Sequence, residues 1–240
     1  MPPICAIVGA GEGLGAALAA KFAANGFDLA LLSRSAAGSA TAQEAAIAAR
    51  PGTKAQFFAA DAQQPETIET TLATASQTLG EIEVLIYNVR GSFTRRDPLE
   101  MTYSELEDTF RLEVSGAFAA AKAVLPAMRE RGQGTLFFSS ATAAFRGSAS
   151  FPLYAIGKFG LRALSQSLTR AYAQDGIHIL HVRLDCNLAT PVMEGLLSPK
   201  ADPLTSPEDV AQAYWLAYQQ PKGAWTNELE LRPYTETWTF

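Results

Sequence analysis

Tyr154 and Lys158 stand four residues apart in Tyr154-Ala155-Ile156-Gly157-Lys158, where a run with helical periodicity begins that continues through Ala173. On a helix that spacing puts both side chains on one face, within reach of each other. A phenol titrates near pKa ~10, so its use as a base at neutral pH needs a shift of about three units, roughly 4 kcal/mol. An ammonium one turn away stabilises the phenolate and supplies part of that. The pair could therefore move a proton to or from a substrate oxygen. Taken alone, it also describes many amphipathic surface helices. Its weight comes from a second constellation, Gly9-Ala10-Gly11-Glu12-Gly13-Leu14-Gly15, which follows an apolar strand pattern and opens a helical one. Glycines in that context allow a tight turn and let backbone N–H groups approach a pyrophosphate at a helix N-terminus. Without a ligand, the same residues would make an ordinary tight turn.

Short apolar runs alternate with helical patterns along the chain, and these are the elements that must position both groups. Strands are expected at Ile4 to Val8, Asp28 to Leu32, Gln56 to Ala59, Val84 to Tyr87, Thr135 to Ser139 and Ile177 to Leu184, with a short last one at Leu229 to Leu231. Helices are expected at Gly13 to Ala24, around Ala42 to Ala49, at Pro65 to Leu79, from about Ser104 to Arg131, at Tyr154 to Ala173, and after Ser206-Pro207. Thr102-Tyr103-Ser104-Glu105 has the form of a capping box, and the long pattern after it can hold two consecutive helices. Strand–helix alternation without polar linkers or repeats predicts an α/β chain with one doubly wound, mostly parallel sheet and helices on both faces. In such sheets ligands bind beyond the carboxyl ends of the strands, where the strand order reverses.

The 240 residues, 48% of them hydrophobic, suit one domain spanning 1–240 with a full core. A net charge of −5 argues against nucleic acid and against an anionic membrane as partner. Nothing approaches the ~18 uninterrupted apolar residues of a membrane span. The two cysteines, Cys5 and Cys186, fit a cytoplasmic setting better than a disulfide framework.

With the glycine loop, the Tyr154/Lys158 pair and the strand pattern all in view, the chain resembles the short-chain dehydrogenase/reductase family from Ile4 to about Tyr218. Gly9, Gly13 and Gly15 match that family's T-G-x-x-x-G-x-G loop, with Val8 in place of the threonine, and Tyr154 and Lys158 match its Y-x-x-x-K. The resemblance implies a single Rossmann-type domain. It implies hydride transfer between a nicotinamide and a carbonyl or secondary alcohol carbon. Tyr154 would pass the proton, and Lys158 would lower the tyrosine pKa and hold the nicotinamide ribose. The hydride chemistry belongs to the cofactor, and the protein supplies orientation and electrostatics. Family members are commonly dimers or tetramers, so a homodimer or homotetramer is expected.

Ser33-Arg34, at the end of the second strand, favours NADP over NAD, because a small residue beside an arginine suits a 2′-phosphate and a carboxylate would suit a 2′-hydroxyl. Glu12 stands against this preference, and NAD stays open. By the same resemblance Asp61 with Ala62 and Asn88 with Val89 lie along the cofactor, as do Leu188 and Thr190. Asp61 could equally cap its turn.

Three departures bear on catalysis. The family's serine, counted back from the tyrosine, falls on Ala141, leaving Ser140 first and Thr142 second for its role. The family's N-x-x-G asparagine is replaced by Glu113, which could pair with Lys158 and offset its charge, or form a different relay. The family's P-G after the sixth strand is replaced by Asp185-Cys186. Arg90, Arg95 and Arg96 lie on the loop after strand four and could hold an anion or simply be solvated. Phe145, Phe151, Met193, Leu196 and Leu197 are read as lining an apolar pocket, with a short substrate lid over 191–205. His178 and His181 fall on opposite faces of a strand and cannot share a metal; no metal site is expected. Two other readings stay open. One is a family member that keeps the nucleotide as a sensor or scaffold. The other is a methyltransferase, whose glycine loop can look alike but which has no use for Tyr154 and Lys158.

Overall fold

The computed structural model describes residues 1–91, 93–190, 193 and 204–235. Strands β1 (Ile4–Val8), β2 (Asp28–Ser33), β3 (Ala55–Ala59), β4 (Ile82–Tyr87), β5 (Gly134–Ala141), β6 (Ile177–Leu184) and β7 (Glu228–Leu231) form one sheet in the order β3-β2-β1-β4-β5-β6-β7. Every pairing is parallel. The strand order reverses at β1, which pairs with β2 on one side and β4 on the other.

The helices are α1 (Leu14–Ala24), α2 (Ala36–Ala49), α3 (Pro65–Leu79), α4 (Tyr103–Phe110), α5 (Gly116–Arg131), α6 (Pro152–Tyr172) and α7 (Pro207–Tyr218). One face of the sheet packs on α1, α2 and α7 through residues such as Ile7, Leu31, Phe137, Phe22 and Tyr214. The other packs on α3, α5 and α6 through Val8, Leu85, Phe138, Ile68, Val124 and Leu161. Because both faces are covered, central strands such as β1 are buried at every position, unlike the alternating pattern of a half-exposed strand.

Local chemistry sets the element ends. The box expected at Thr102 is formed: Thr102 Oγ1 accepts from Glu105 N at 3.1 Å, and Thr102 N donates back to Glu105 Oε2 at 2.9 Å. Ser206 caps α7, accepting from Glu208 N and Asp209 N. The long pattern after the box is two helices, separated by a π turn at Arg111–Ser115. Several expected bounds move by a residue or two; α2 begins earlier than expected, at Ala36, where Ser35 accepts from Gly38 N. None of the described helices is long and apolar enough to cross a membrane.

Candidate active site

At the end of β1 the chain turns on Gly9 (φ 88°), and both Gly9 N and Ala10 N donate to Leu32 O, at 2.9 and 3.2 Å. Asn88, just beyond β4, donates its side-chain amide to Gly9 O at 3.1 Å. The fit is tight: a Cβ on Gly9 would sit 2.6 Å from Asn88 O, and one on Gly15 would sit 3.0 Å from Gly9 O. Gly13 (φ 77°) leads into α1 with no side chain capping its N-terminus, and a Cβ there would meet the Thr190 methyl at 2.7 Å. No side chain caps the start of α1, which leaves its first amides open, as a pyrophosphate site requires. Leu14 is buried, and Gly11 and Glu12 lie on the outer part of the turn, Glu12 exposed.

Beside this turn, Ser33 Oγ donates to Ser35 O or shares a proton with Ser39 Oγ, both at 2.7 Å, while Arg34 is exposed. Asp61 uses Oδ1 to accept from Gln63 N at 3.0 Å, so the turn-capping role is the one visible for it. Ala62 is buried and Val89 half-buried. Leu188 forms an isolated bridge with Thr205, and Thr190 Oγ1 accepts from Met193 N at 3.3 Å.

The half that holds the tyrosine–lysine pair is assembled by α6, the π turn and the ends of β4 and β5. Lys158 is only 2% exposed and Glu113 is fully buried. Lys158 Nζ donates to Glu113 Oε2 at 2.8 Å and to Val89 O and Ser139 O, each at 3.3 Å, which engages all three of its protons. The other Glu113 oxygen accepts from Gly91 N at 2.8 Å. The Tyr154 ring centroid lies 5.6 Å from the Lys158 ammonium, so the helical spacing does bring them together.

Burial and three charged neighbours act on the phenol. Burial raises the Tyr154 pKa and is the largest influence; Lys158 lowers it, Glu113 raises it, Arg90 lowers it, and the net shift is upward. Burial works to lower the Lys158 pKa, but Glu113 and Tyr154 more than offset it and the net shift is also upward. Tyr87, whose hydroxyl donates to Leu112 O in the π turn, is pushed well up, by burial first and Glu113 second. Sequence reading missed Tyr87; it was legible only as an apolar strand residue.

Two hydroxyls compete for the serine role at the end of β5, and the structure separates them. Ser139 faces α7 and hydrogen-bonds Tyr214 Oη at 2.8 Å. Strand alternation therefore turns Ser140 to the face that α6 covers. Ser140 Oγ is buried and has no hydrogen-bond partner among the described residues. Thr142, by contrast, donates to the Asp185 carboxylate. Asp185 also pairs with Arg232 at 2.8 Å, so its charge is countered within the protein.

At the mouth, Phe93 stacks on Phe151 with centroids 4.1 Å apart and meets Tyr154 edge-on at 5.2 Å. Phe151 thus reaches the tyrosine through the Phe93 ring. Phe145 does not line an apolar pocket: it is exposed, with the guanidinium of Arg183 4.7 Å and that of Arg162 5.7 Å from its ring centroid. Arg90 is exposed, Arg96 pairs with Glu105, and Leu196, Leu197 and most of 191–205 lie outside the described residues. His178 stacks on Trp225, with its Nε2 2.9 Å from Thr226 O, and the two histidines are well separated in role. Among the described residues no cluster of three or more His, Cys, Asp or Glu could hold a metal.

A parallel sheet with its glycine turn at the switch point, an uncapped helix behind it and a tyrosine–lysine pair across the cleft defines the dinucleotide-binding class of α/β proteins. The short chain dehydrogenase family profile matches residues 3–198, and the chain belongs to that family. It is similar to 3-dehydrosphinganine reductase of Arabidopsis thaliana, 30% identical over 176 residues that make up 72% of this chain and 52% of the relative. The chain thus spans about half the length of that relative. An uncharacterized oxidoreductase of Staphylococcus aureus is 24% identical over 96% of both chains. The crystal structure of a short-chain dehydrogenase from Rhodopseudomonas palustris superposes with a TM-score of 0.82 at 33% identity, covering 97% of this chain and 99% of that one.

Proposed function

We propose that this chain is an oxidoreductase that moves a hydride between a nicotinamide dinucleotide, NADP(H) in preference to NAD(H), and a carbonyl or secondary alcohol carbon. The observation that carries the reading is the buried, unpartnered Ser140 hydroxyl on the sheet face shared with Tyr154 and Lys158. A buried hydroxyl without a partner costs free energy, and a substrate oxygen would satisfy it. The cofactor supplies the hydride when bound. Tyr154 donates the proton to the substrate oxygen in reduction and accepts it in oxidation. Ser140 steadies that oxygen, while the Phe93 and Phe151 rings exclude water beside the phenol. The glycine turn from Gly9 to Gly15 and the open end of α1 would hold the pyrophosphate, and Asn88, Val89, Leu188 and Thr190 would contact other parts of the dinucleotide, Thr190 its carboxamide. Ser33 and Arg34 would receive a 2′-phosphate, with Glu12 exposed to solvent.

The second reading, a nucleotide-dependent sensor or scaffold, draws on the Glu113–Lys158 pair, which leaves the ammonium with no unengaged proton. Fluorescence titration with NADPH and NADH, followed by a carbonyl panel with the tighter cofactor, separates the two. Saturable NADPH binding with substrate-dependent oxidation supports the enzyme, whereas binding without turnover supports the sensor. Failure of both nucleotides to bind would remove the reading altogether.

The setting proposed is cytoplasmic, and the assembly a homodimer or homotetramer. Supporting the assembly, Phe110, Phe118 and Ile156 expose apolar surface around a groove of about 800 Å³ lined by α3, α4, α5 and Ile156 of α6. Light scattering on the purified protein would give the subunit number.

A further inference from the structure

The niche around Glu113 is shaped for a carboxylate and for nothing else of its size. Each of its oxygens faces a donor, Lys158 Nζ on one side and Gly91 N on the other, both at 2.8 Å. A glutamine would have to turn its NH2 group towards one of them. The space is made by glycines. A Cβ on Gly157, the residue before Lys158, would sit 2.8 Å from Glu113 Cγ, and one on Gly91 would sit 3.0 Å from Glu113 Oε1. The π turn at Arg111–Ser115 carries Glu113 towards α6 and is held from below by the Tyr87 hydroxyl on Leu112 O. Three separate segments are thus adapted to place one acid against the lysine.

We propose that Glu113 is the resident counter-ion of Lys158, a positioning residue that holds the Tyr154–Lys158–Glu113 cluster at zero net charge and so keeps the phenol a proton donor. This deepens the proposed proton-transfer role of Tyr154 and rests on it. The argument is one of charge balance. With Glu113 ionised, loss of the Tyr154 proton turns a neutral buried cluster into one of net charge −1, which burial disfavours. Without the carboxylate the same step takes a cluster of charge +1 to zero, which burial favours. Burial then presses the Lys158 pKa down, and the carbonyls of Val89 and Ser139, together with Tyr154, act to keep the ammonium charged. The other groups around the cluster do not replace the carboxylate. Arg90 on the β4 loop is cationic and exposed, the Tyr87 hydroxyl on β4 is held protonated, and His181 on β6 is neutral, its pKa lowered to about 4 chiefly by burial. The site is thereby set for carbonyl reduction across the neutral range, with alcohol oxidation confined to alkaline pH.

The test is a pair of pH titrations on wild type, Glu113→Gln and Gly157→Ala. One follows the alkaline limb of kcat/KM for carbonyl reduction. The other follows tyrosinate absorbance, as the difference between each protein and the same protein carrying Tyr154→Phe. The second needs no substrate, so it stays readable if the hydride-transfer reading fails. Glu113→Gln is expected to move both curves to lower pH by about one to two units, the order expected for removing one unit charge a few ångströms away at an effective dielectric of ~20. Gly157→Ala, which keeps the carboxylate but displaces it, is expected to move them the same way by less, and carries the test if Glu113→Gln does not fold. Curves that superpose on wild type, or lie at higher pH, would overturn the proposal. A purely structural Glu113 would lower stability and leave both curves in place.

Discussion

On the β1–β2 side of the cleft the working groups are backbone amides and exposed side chains; on the β4–β5 side they are buried charges. Gly9, Gly13 and Gly15 place bare peptide groups at the mouth of α1, and Arg34 stands in solvent. Across the cleft, Lys158 and Glu113 meet in a site closed to water. On the proposed function, the difference follows from what each side would handle. A pyrophosphate keeps its charge throughout, so fixed dipoles and a solvated cation suffice. A phenol that must hold and release a proton responds to every nearby charge, and low local dielectric makes each of those charges count. Backbone geometry governs one half, and the balance of two opposite charges governs the other.

Substitutions can break that contrast at different points. The largest loss is expected from Gly9→Val. It forces a β-branched residue to positive φ with its Cβ 2.6 Å from Asn88 O. Strain and overpacking together should cost about 2–5 kcal/mol of stability. Thermal melts and NADPH titration should both show the loss. Next comes Ser140→Ala, expected to lower kcat by about 10²–10³-fold if the hydroxyl steadies the reacting oxygen. Its melting temperature should hardly change, since the hydroxyl has no partner to lose. Arg34→Ala should weaken NADPH by about 1.5–3 kcal/mol, the worth of a charged hydrogen bond, and leave NADH unaffected. Comparative titrations would read it. Thr142→Val should have the smallest effect on kcat, under about tenfold, and show mainly as lower stability, because its hydroxyl serves Asp185. A larger kinetic loss in Thr142→Val than in Ser140→Ala would reverse the assignment.

The half built from backbone was the more legible in the sequence. Glycine spacing after an apolar strand implies the turn directly, and Gly9 and Gly13 adopt the positive φ that such a turn demands. The parallel sheet was legible for a related reason, since strands such as β1 are apolar throughout and separated by helical patterns. The Tyr154/Lys158 contact followed from helical geometry alone. What the sequence left open depended on neighbours distant along the chain. Ser140 and Thr142 look alike in sequence, and what distinguishes them is that Asp185, beyond β6, engages only Thr142. Glu113 was visible as a departure, but its niche depends on Gly91 and Gly157, whose empty Cβ positions mean nothing until α6 is docked. Phe145 read as pocket lining, yet its ring is exposed, with two arginines from α6 and β6 beside it.

The most direct test of the division between the two halves is Tyr154→Phe, assayed for both NADPH affinity and carbonyl turnover. The account predicts a Kd within about twofold of wild type and turnover lower by roughly 10²–10⁴-fold, the usual worth of a positioned proton donor. Turnover that survived the loss of the hydroxyl would contradict it.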